Sequence, residues 1–494
     1  MCDVSARAAS SAENGNDIGE ADVSTASIHA GWRAEDMHGA VTPPIYSSSA
    51  YAHDDHSSLK NLFARRSEGF AYSRSGNPTT AVLEERISAL EGGIGAIAVA
   101  SGQAATTVAL CALLEPGSHV VASELLYGGT TEFLDDTLAD LSVTSTSVDP
   151  WDLEAWERAI TPDTRAVIVE SIANPGAQLV DLDAISAIAH AHDVPVVVDA
   201  TLSSPALYRP GEHGADVVVH SATKYLCGHG TTIAGLIVDT GSFDPRRCPD
   251  RWQRLTTPNR RFGVTFADDY DRGGSGLLSY ARAKYVTDFG ATLPATSAQQ
   301  ILVGIETLDL RMRKISADAT ALAARLHGAT GVERVNHPTI PGRPDAALAA
   351  RDFPHGTSGV FSLDLAGGET AAAAFCDALE LFTLAVNIGD ARSLVCHPAT
   401  TTHSHLREEQ RRACGVLPGT VRLSIGLEDI EDLAADLDRG LTAAARVGND
   451  RATSAAAAAR AGHDRGGASA AASAAPDAAP TATASPDALL ARQG

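Results

Sequence analysis

HSATKYLCGHG, His220–Gly230, sets one lysine, Lys224, inside a run of hydroxyls and glycines, directly after the apolar run ADVVVH, Ala215–His220. That run is short, rich in β-branched residues and nearly free of polar alternation, which is the pattern of a parallel strand covered on both faces. A lysine at its end leaves the core wall. Upstream, VPVVVDA, Val194–Ala200, is a second run of the same kind and brings in Asp199. Two neighbouring buried strands then deliver an amine and a carboxylate to the same edge of a sheet, where open α/β sheets bind ligands. Each residue also has a plain structural reading, Lys224 as a surface lysine and Asp199 as a helix cap.

An amine for a Schiff base and a carboxylate for a pyridinium nitrogen are the two groups pyridoxal phosphate most needs from a protein. Its phosphate needs donors. IAVASGQAATTVALCALL, Ile97–Leu114, reads as a strand, a small-residue turn at Ser101, Gly102 and Gln103, and an apolar helix. Such a turn offers free amides and the positive end of a helix dipole to an anion. Ser221 and Thr223, at alternate positions before the lysine, either add hydroxyl donors or cap the strand end. A planar ring also gains from stacking. Tyr127 in LLYGGT follows the strand VVASE and supplies such a face, unless it is a core tyrosine, and Gly128 and Gly129 let the backbone pass close to a ligand. Asn174, in VIVESIANPGAQ, follows a third buried strand and either hydrogen-bonds the cofactor's phenolic oxygen or belongs to an ordinary Asn-Pro turn.

These residues sit within a longer series: PPIYSSSAY, YSRSGNPTTAVLEERISALEGG, ASGQAA, ESIANPGAQLVDL, HSATKYLCGHGTTIAG, GIETLDLRMRK, NIGDARSLVCHPATTTHSHL and VRLSIGLEDIEDLAADLDRGL. In this order they resemble the Cys/Met-metabolism family of pyridoxal-phosphate enzymes, and within it the O-acetylhomoserine sulfhydrylases, over roughly Ser24 to Val447. The resemblance implies a fold-type I transferase, aspartate-aminotransferase-like, with a large α/β domain on a mostly parallel sheet and a smaller C-terminal α/β domain. It makes Lys224 the Schiff-base lysine, Asp199 the pyridinium partner and Tyr127 the stacking ring. Ser101, Gly102, Gln103, Ser221 and Thr223 become phosphate ligands. Tyr72 and Arg74 match a pair lent to the phosphate of a neighbouring subunit, so the site is shared and the active form is a homo-oligomer, at least a dimer and in the family a tetramer. Arg422 forks onto the substrate's α-carboxylate, a task suited to a planar bidentate donor. Asn387, with Tyr72, stands beside that carboxylate.

The implied reaction is γ-replacement in methionine biosynthesis, O-acetyl-L-homoserine with sulfide or methanethiol giving homocysteine or methionine and acetate. The alternatives are cystathionine γ-synthase or γ-lyase, methionine γ-lyase, and O-succinylhomoserine sulfhydrylase. Two departures stand out. Ala200 lies between Asp199 and Thr201 where the family usually has asparagine, and Cys227 replaces a small residue near the lysine. YSRSGNPT is closer to the transsulfuration members, whereas NIGDARSLVCHPATTTH points to the sulfhydrylases. The second motif is longer and includes Asn387, so it decides.

A chain of 494 residues, 44% hydrophobic and 20% charged, is long enough for more than one core. Its net charge of -23 argues against nucleic-acid and anionic-membrane partners. No apolar run has the length of a membrane helix, the first residues lack an export pattern, and the seven cysteines include no CxxC, which together predict a cytoplasmic enzyme with reduced thiols. His397, His403 and His405 share an H-x5-H-x-H spacing, but apart from Cys396 no nearby acidic or thiol set completes a tetrahedral site, so no metal is expected. Domain boundaries are expected at 1–22 (disordered), 23–74 (an arm across a subunit interface), 75–290 (the cofactor-binding domain), 291–447 (the small domain, opening on one long helix from Leu293 to Leu326) and 448–494 (a disordered Ala-rich tail). Phe243–Gly276 reads as an excursion near the mouth of the site.

Overall fold

The computed structural model describes residues 21–34 and 38–465, with side chains in the last helix described as far as residue 447. The chain divides into two compact units, 1–448 and 449–494, and the first carries both sheets. The larger sheet is built from β1 Gly95–Val99, β2 His119–Ser123, β3 Thr144–Val148, β4 Thr164–Glu170, β5 Val196–Asp199, β6 Val217–Ser221 and β7 Gly235–Asp239, in the order β1-β7-β6-β5-β4-β2-β3. Every pairing from β6 outward to β3 is parallel, and β7 runs antiparallel to both β1 and β6. All strands except β7 therefore point the same way. The connection from β6 to β7 contains no helix, so it cannot cross over to a parallel position and turns back on the same edge. That connection carries Lys224.

Both faces of the sheet are covered. Val82, Leu83, Ile87 and Leu90 of helix Pro78–Glu91 and Ile185 and Ala189 of helix Leu182–Ala191 pack with Val196, Val198, Val218 and Val238 on one face. Helix Gly102–Leu113 and Leu134, Trp252 and Phe266 pack with Val197, Val217 and Val219 on the other. Ser101 starts the helix at Gly102, its Oγ accepting from the Ala104 amide at 3.0 Å.

The second sheet, β8 Val332–Asn336, β9 Val360–Leu365, β10 Thr383–Leu384, β11 Leu394–Cys396 and β12 Thr420–Ser424, has the order β10-β11-β12-β9-β8 and is antiparallel apart from β10–β11. Phe361, Leu363 and Leu423 from it share one apolar cluster with Val198 and Val218 of the larger sheet. Residues 1–20 and 466–494 lie outside the described residues, and with them most of the two ends expected to be disordered. Asp22 caps helix Val23–His29, and the last helix spans Ile430–Arg465. No helix among the described residues is long and apolar enough to cross a membrane.

Two expectations need correction. The single helix from Leu293 to Leu326 is two, Ala295–Ile305 and Leu308–Leu326, separated at Thr307 with φ -112° and ψ 13°. Arg311 explains the break: its guanidinium donates to the Gly304 carbonyl at 2.6 Å and to Tyr225 O at 2.8 Å, which fastens the break to the loop carrying Lys224. The excursion from Phe243 to Gly276 is not at the mouth of the site. Arg251 donates to the carbonyls of His192 and Thr164, and Arg254 to that of Leu114. Thr164 opens β4, and Asp239, which accepts from the Tyr270 and Ser275 hydroxyls, ends the reversed strand β7. These anchors all belong to the edge where the parallel strands begin, opposite Asp199 and Lys224. Buried Trp252, Leu255 and Phe266 draw the segment onto the core there, and its arginines cap free carbonyls.

Candidate active site

Lys224 sits in a tight turn closed by backbone bonds from Lys224 N to Ser221 O (3.1 Å), Cys227 N to Ala222 O (3.0 Å) and Gly228 N to Lys224 O (2.7 Å). Thr223 Oγ1 donates to Ala234 O at 3.2 Å and accepts from Ala234 N at 3.0 Å, so the loop is pinned across its neck. The amine leaves this frame and donates to Asn387 Oδ1 at 2.6 Å. Arg422, in the centre of β12 and only 3% exposed, donates to Asn387 O at 3.0 Å and to Asn174 Oδ1 at 3.3 Å. Burial, and secondly the Arg422 charge, push the Lys224 amine down to about 8. The turn at 387–389 reaches Lys224 because Gly389, at φ 69°, has no side chain: a Cβ there would lie 2.7 Å from the Tyr225 amide.

On the next strand, Asp199 Oδ1 accepts from the Thr201 amide at 2.9 Å, and the Thr201 hydroxyl accepts from Ser221 N at 2.7 Å. Asp199 keeps some exposed surface, but its carboxyl is enclosed. Burial raises that carboxyl, while the Thr201 hydroxyl and amide and the His220 charge oppose the rise. His220 itself is buried and 2.7 Å from Glu91 Oε1. One strand further, Glu170 ends β4 in register with Asp199 and accepts from the Tyr127 amide at 2.5 Å. Sequence reasoning missed Glu170. The signal was there, an acid ending an apolar run as Asp199 does, but ESIANP reads as a turn.

The turn at Ser101–Gln103 lies beside Ser221. A Cβ on Gly102 would stand 2.5 Å from Ser221 Cβ and 2.8 Å from its Oγ, so a glycine is needed for helix and strand end to meet. The amides of Gly102 and Gln103 have no acceptor among the described residues. These two N–H groups at the start of an apolar helix, with the Ser221 hydroxyl beside them, form an anion cradle. Tyr127 precedes the short helix Gly128–Glu132 and is 43% exposed, so it is not a core tyrosine. Gly129 lies under the Tyr127 ring itself, so its close approach serves that ring first. Tyr72 and Arg74 are not brought to Lys224 within the chain. Arg74 lies over the Tyr72 ring at 5.5 Å and donates to Thr287 O at 2.7 Å. Of the spaced histidines, His397 uses both ring nitrogens, on Thr400 Oγ1 at 2.8 Å and Pro418 O at 2.9 Å.

An amine of lowered basicity, an enclosed carboxylate on the adjacent strand and a helix-start anion cradle fit a cofactor with an aldehyde, a ring nitrogen and a phosphate. The fold is that of fold-type I pyridoxal-phosphate enzymes. The chain belongs to the Cys/Met metabolism PLP-dependent enzyme family, whose pattern matches residues 24–442. It is 40% identical over 424 residues to the O-acetyl-L-homoserine sulfhydrylase of Corynebacterium glutamicum, covering 85% of this chain and 96% of the relative. To the L-methionine gamma-lyase of Pseudomonas putida it is 38% identical over 422 residues, covering 85% and 97%. A Campylobacter jejuni protein solved as a candidate O-acetylhomoserine (thiol)-lyase, with a lysine present as N'-pyridoxyl-lysine-5'-monophosphate, superposes with a TM-score of 0.82 at 33% identity, covering 85% of this chain and all of that one.

Proposed function

We propose that this enzyme exchanges the acetate of O-acetyl-L-homoserine for sulfide, giving L-homocysteine, or for methanethiol, giving methionine. The observation that carries the reading is Lys224 Nζ, 2.6 Å from Asn387, with the Arg422 guanidinium behind the same asparagine. An amine able to move protons at Cα is thereby placed next to a planar cation suited to an α-carboxylate.

Pyridoxal phosphate would be held covalently by Lys224, at its ring nitrogen by Asp199, on its face by Tyr127 and at its phenolic oxygen by Asn174. Its phosphate would take the amides of Gly102 and Gln103, the hydroxyls of Ser101 and Ser221, that of Thr223 once its proton turns from the Ala234 carbonyl, and Tyr72 and Arg74 of a second copy. When bound, it supplies an electron sink that acidifies the substrate's Cα and Cβ protons. Arg422 and the Asn387 amide, with Tyr72, orient the carboxylate. Lys224 takes the proton from Cα and shuttles one at Cβ. The Cγ–O bond to acetate breaks, a Cγ–S bond to the thiol forms, and the protons return to Cβ and Cα. Since Tyr72 and Arg74 lie away from Lys224 in the single chain, the reading requires an oligomer, at least a dimer and in this family a tetramer. The same reading has the enzyme working in the cytoplasm, where reducing conditions suit the six unpaired thiols among the described residues.

Two results are expected from the cofactor site alone. Only the neutral amine attacks an aldehyde, so cofactor uptake by the apo-protein should accelerate as pH rises and level off above about 8. Stopped-flow absorbance measures this, and a midpoint near 10, as for an ordinary lysine at about 10.4, would show that burial does not tune Lys224. Gly102→Ala overpacks the contact with Ser221, at a cost of about 1–3 kcal/mol. It should weaken cofactor affinity by roughly tenfold or more, and unaltered affinity in a fluorescence titration would remove this turn from the phosphate site.

The reaction itself is tested with the cofactor-loaded protein, O-acetylhomoserine, and sulfide or cysteine offered separately, with O-succinylhomoserine as the competing ester. Homocysteine from the acetyl ester and sulfide is expected. Cystathionine from cysteine, ketobutyrate without added thiol, or preference for the succinyl ester would each assign the chain to another branch of the family.

A further inference from the structure

Glu170 takes no part in the reaction as derived, yet it is 4% exposed and touches two of the groups that would hold the cofactor. It ends β4 where Asp199 ends β5, and the two are register partners on parallel strands. Their side chains therefore leave the same face of the sheet from strands roughly 4.8 Å apart. Two enclosed carboxylates so close do not both ionise unless a cation stands between them. Asp199 has compensation in the Thr201 amide and hydroxyl and in His220. Glu170 faces the amides of Tyr127 and Asn174, the Asp199 carboxylate and the Cys414 thiol, and it has no ion-pair partner among the described residues. Burial and the Asp199 charge together hold its carboxyl well above the usual range in spite of the two amides.

We propose that Glu170 is a positioning residue that keeps its proton at neutral pH, fixes the Tyr127 amide, and leaves Asp199 as the one negative side chain offered to the cofactor's ring nitrogen. This rests on the roles given above to Tyr127 and Asp199. A single buried group then sets the stacking residue beside the partner of the ring nitrogen. An ionised Glu170 would put a second charge beside Asp199 and divide its hold on the ring-nitrogen proton.

The test compares wild-type holoenzyme with Glu170→Ala and Glu170→Gln, by cofactor titration, by kcat and KM, and by melting temperature from roughly pH 5 to 9. Glu170→Ala removes this anchor and is expected to weaken cofactor binding and lower kcat by about tenfold or more. Glutamine has the shape of the neutral acid and an oxygen for the same amide, so it should recover most of both losses. The melts give the sign. An acid whose folded-state pKa is raised binds more protons folded than unfolded, so its contribution to stability is lost as pH rises from the unfolded value through the folded one. Glu170→Gln lacks that loss, and its melting temperature should climb relative to wild type across the window. A glutamine variant as damaged as alanine, or a wild type that gains on it as pH rises, would mean an ionised Glu170 and overturn the proposal. If the alanine variant does not fold, the wild-type and glutamine melts decide. The melts and titrations need no substrate, so a wild type that binds cofactor but forms no homocysteine would refute the substrate assignment and leave Glu170 judged separately.

Discussion

Lys224→Ala is expected to lower kcat by about 10²–10⁴-fold or more, the usual contribution of a positioned general acid–base, while leaving a folded protein. The prediction of intact folding follows from the contacts. Among the described residues the only polar bond of the side chain is to Asn387 Oδ1 at 2.6 Å, and the turn around it is held by backbone bonds and by Thr223 with Ala234. The cofactor should still bind through its other contacts, only less tightly. Lys224→Arg separates charge from proton transfer, because a guanidinium stays protonated and cannot serve as the base. It should be nearly as inactive as alanine. Steady-state kinetics with excess pyridoxal phosphate read both variants, and a Lys224→Ala protein keeping more than about a tenth of wild-type kcat would show that the proton is moved elsewhere.

Arg422→Gln should have the next largest effect, and a different signature. Arg422 is 3% exposed and is fixed by Asn387 O and Asn174 Oδ1, so its fork is already oriented before an α-carboxylate arrives. Truncating one partner of a buried charged pair costs about 2–5 kcal/mol, which at about 1.4 kcal/mol per decade lowers kcat/KM by roughly 30- to 3000-fold. Most of the loss should appear in KM, with cofactor affinity nearly unchanged, because the guanidinium meets the substrate and not the phosphate. Removing its charge should also raise the pH at which Lys224 becomes neutral, though only in part, since burial is the larger cause. A fall confined to kcat, or a pH midpoint moving down, would contradict this assignment.

The parts of the site that were legible in the sequence are those written along one stretch of chain. Asp199 and Lys224 close consecutive apolar runs, and Ser101–Gln103 opens an apolar helix, so their neighbourhood follows from strand order alone. Asn387 and Arg422 come from the second sheet and were recognisable only through family motifs, because nothing local says that β12 reaches Asn174 beyond β4, or that the turn at Asn387 reaches the Lys224 loop. Glu170 gains its meaning from register with Asp199, a relation between strands that no single run displays. GLIVD, which forms β7, looks the same read in either direction, so its reversal was not visible. The break at Thr307 depends on where the Arg311 guanidinium finds carbonyls, and the excursion after Phe243 on which edge has carbonyls free. Both are tertiary decisions that override local pattern.

The reversed strand also has an evolutionary consequence. The segment from β6 to β7 works like a short bridge on two fixed piers, with Ser221 against Gly102 at one end and Ala234 tied to Thr223 at the other. Residues along the span can be exchanged, as Cys227 illustrates, but an added or deleted residue would move the amine and unseat the phosphate side at the same stroke. Selection on this segment should therefore act on its length before its composition, and diversification of substrate preference should fall to turns of the second sheet other than 387–389, which is packed against the bridge.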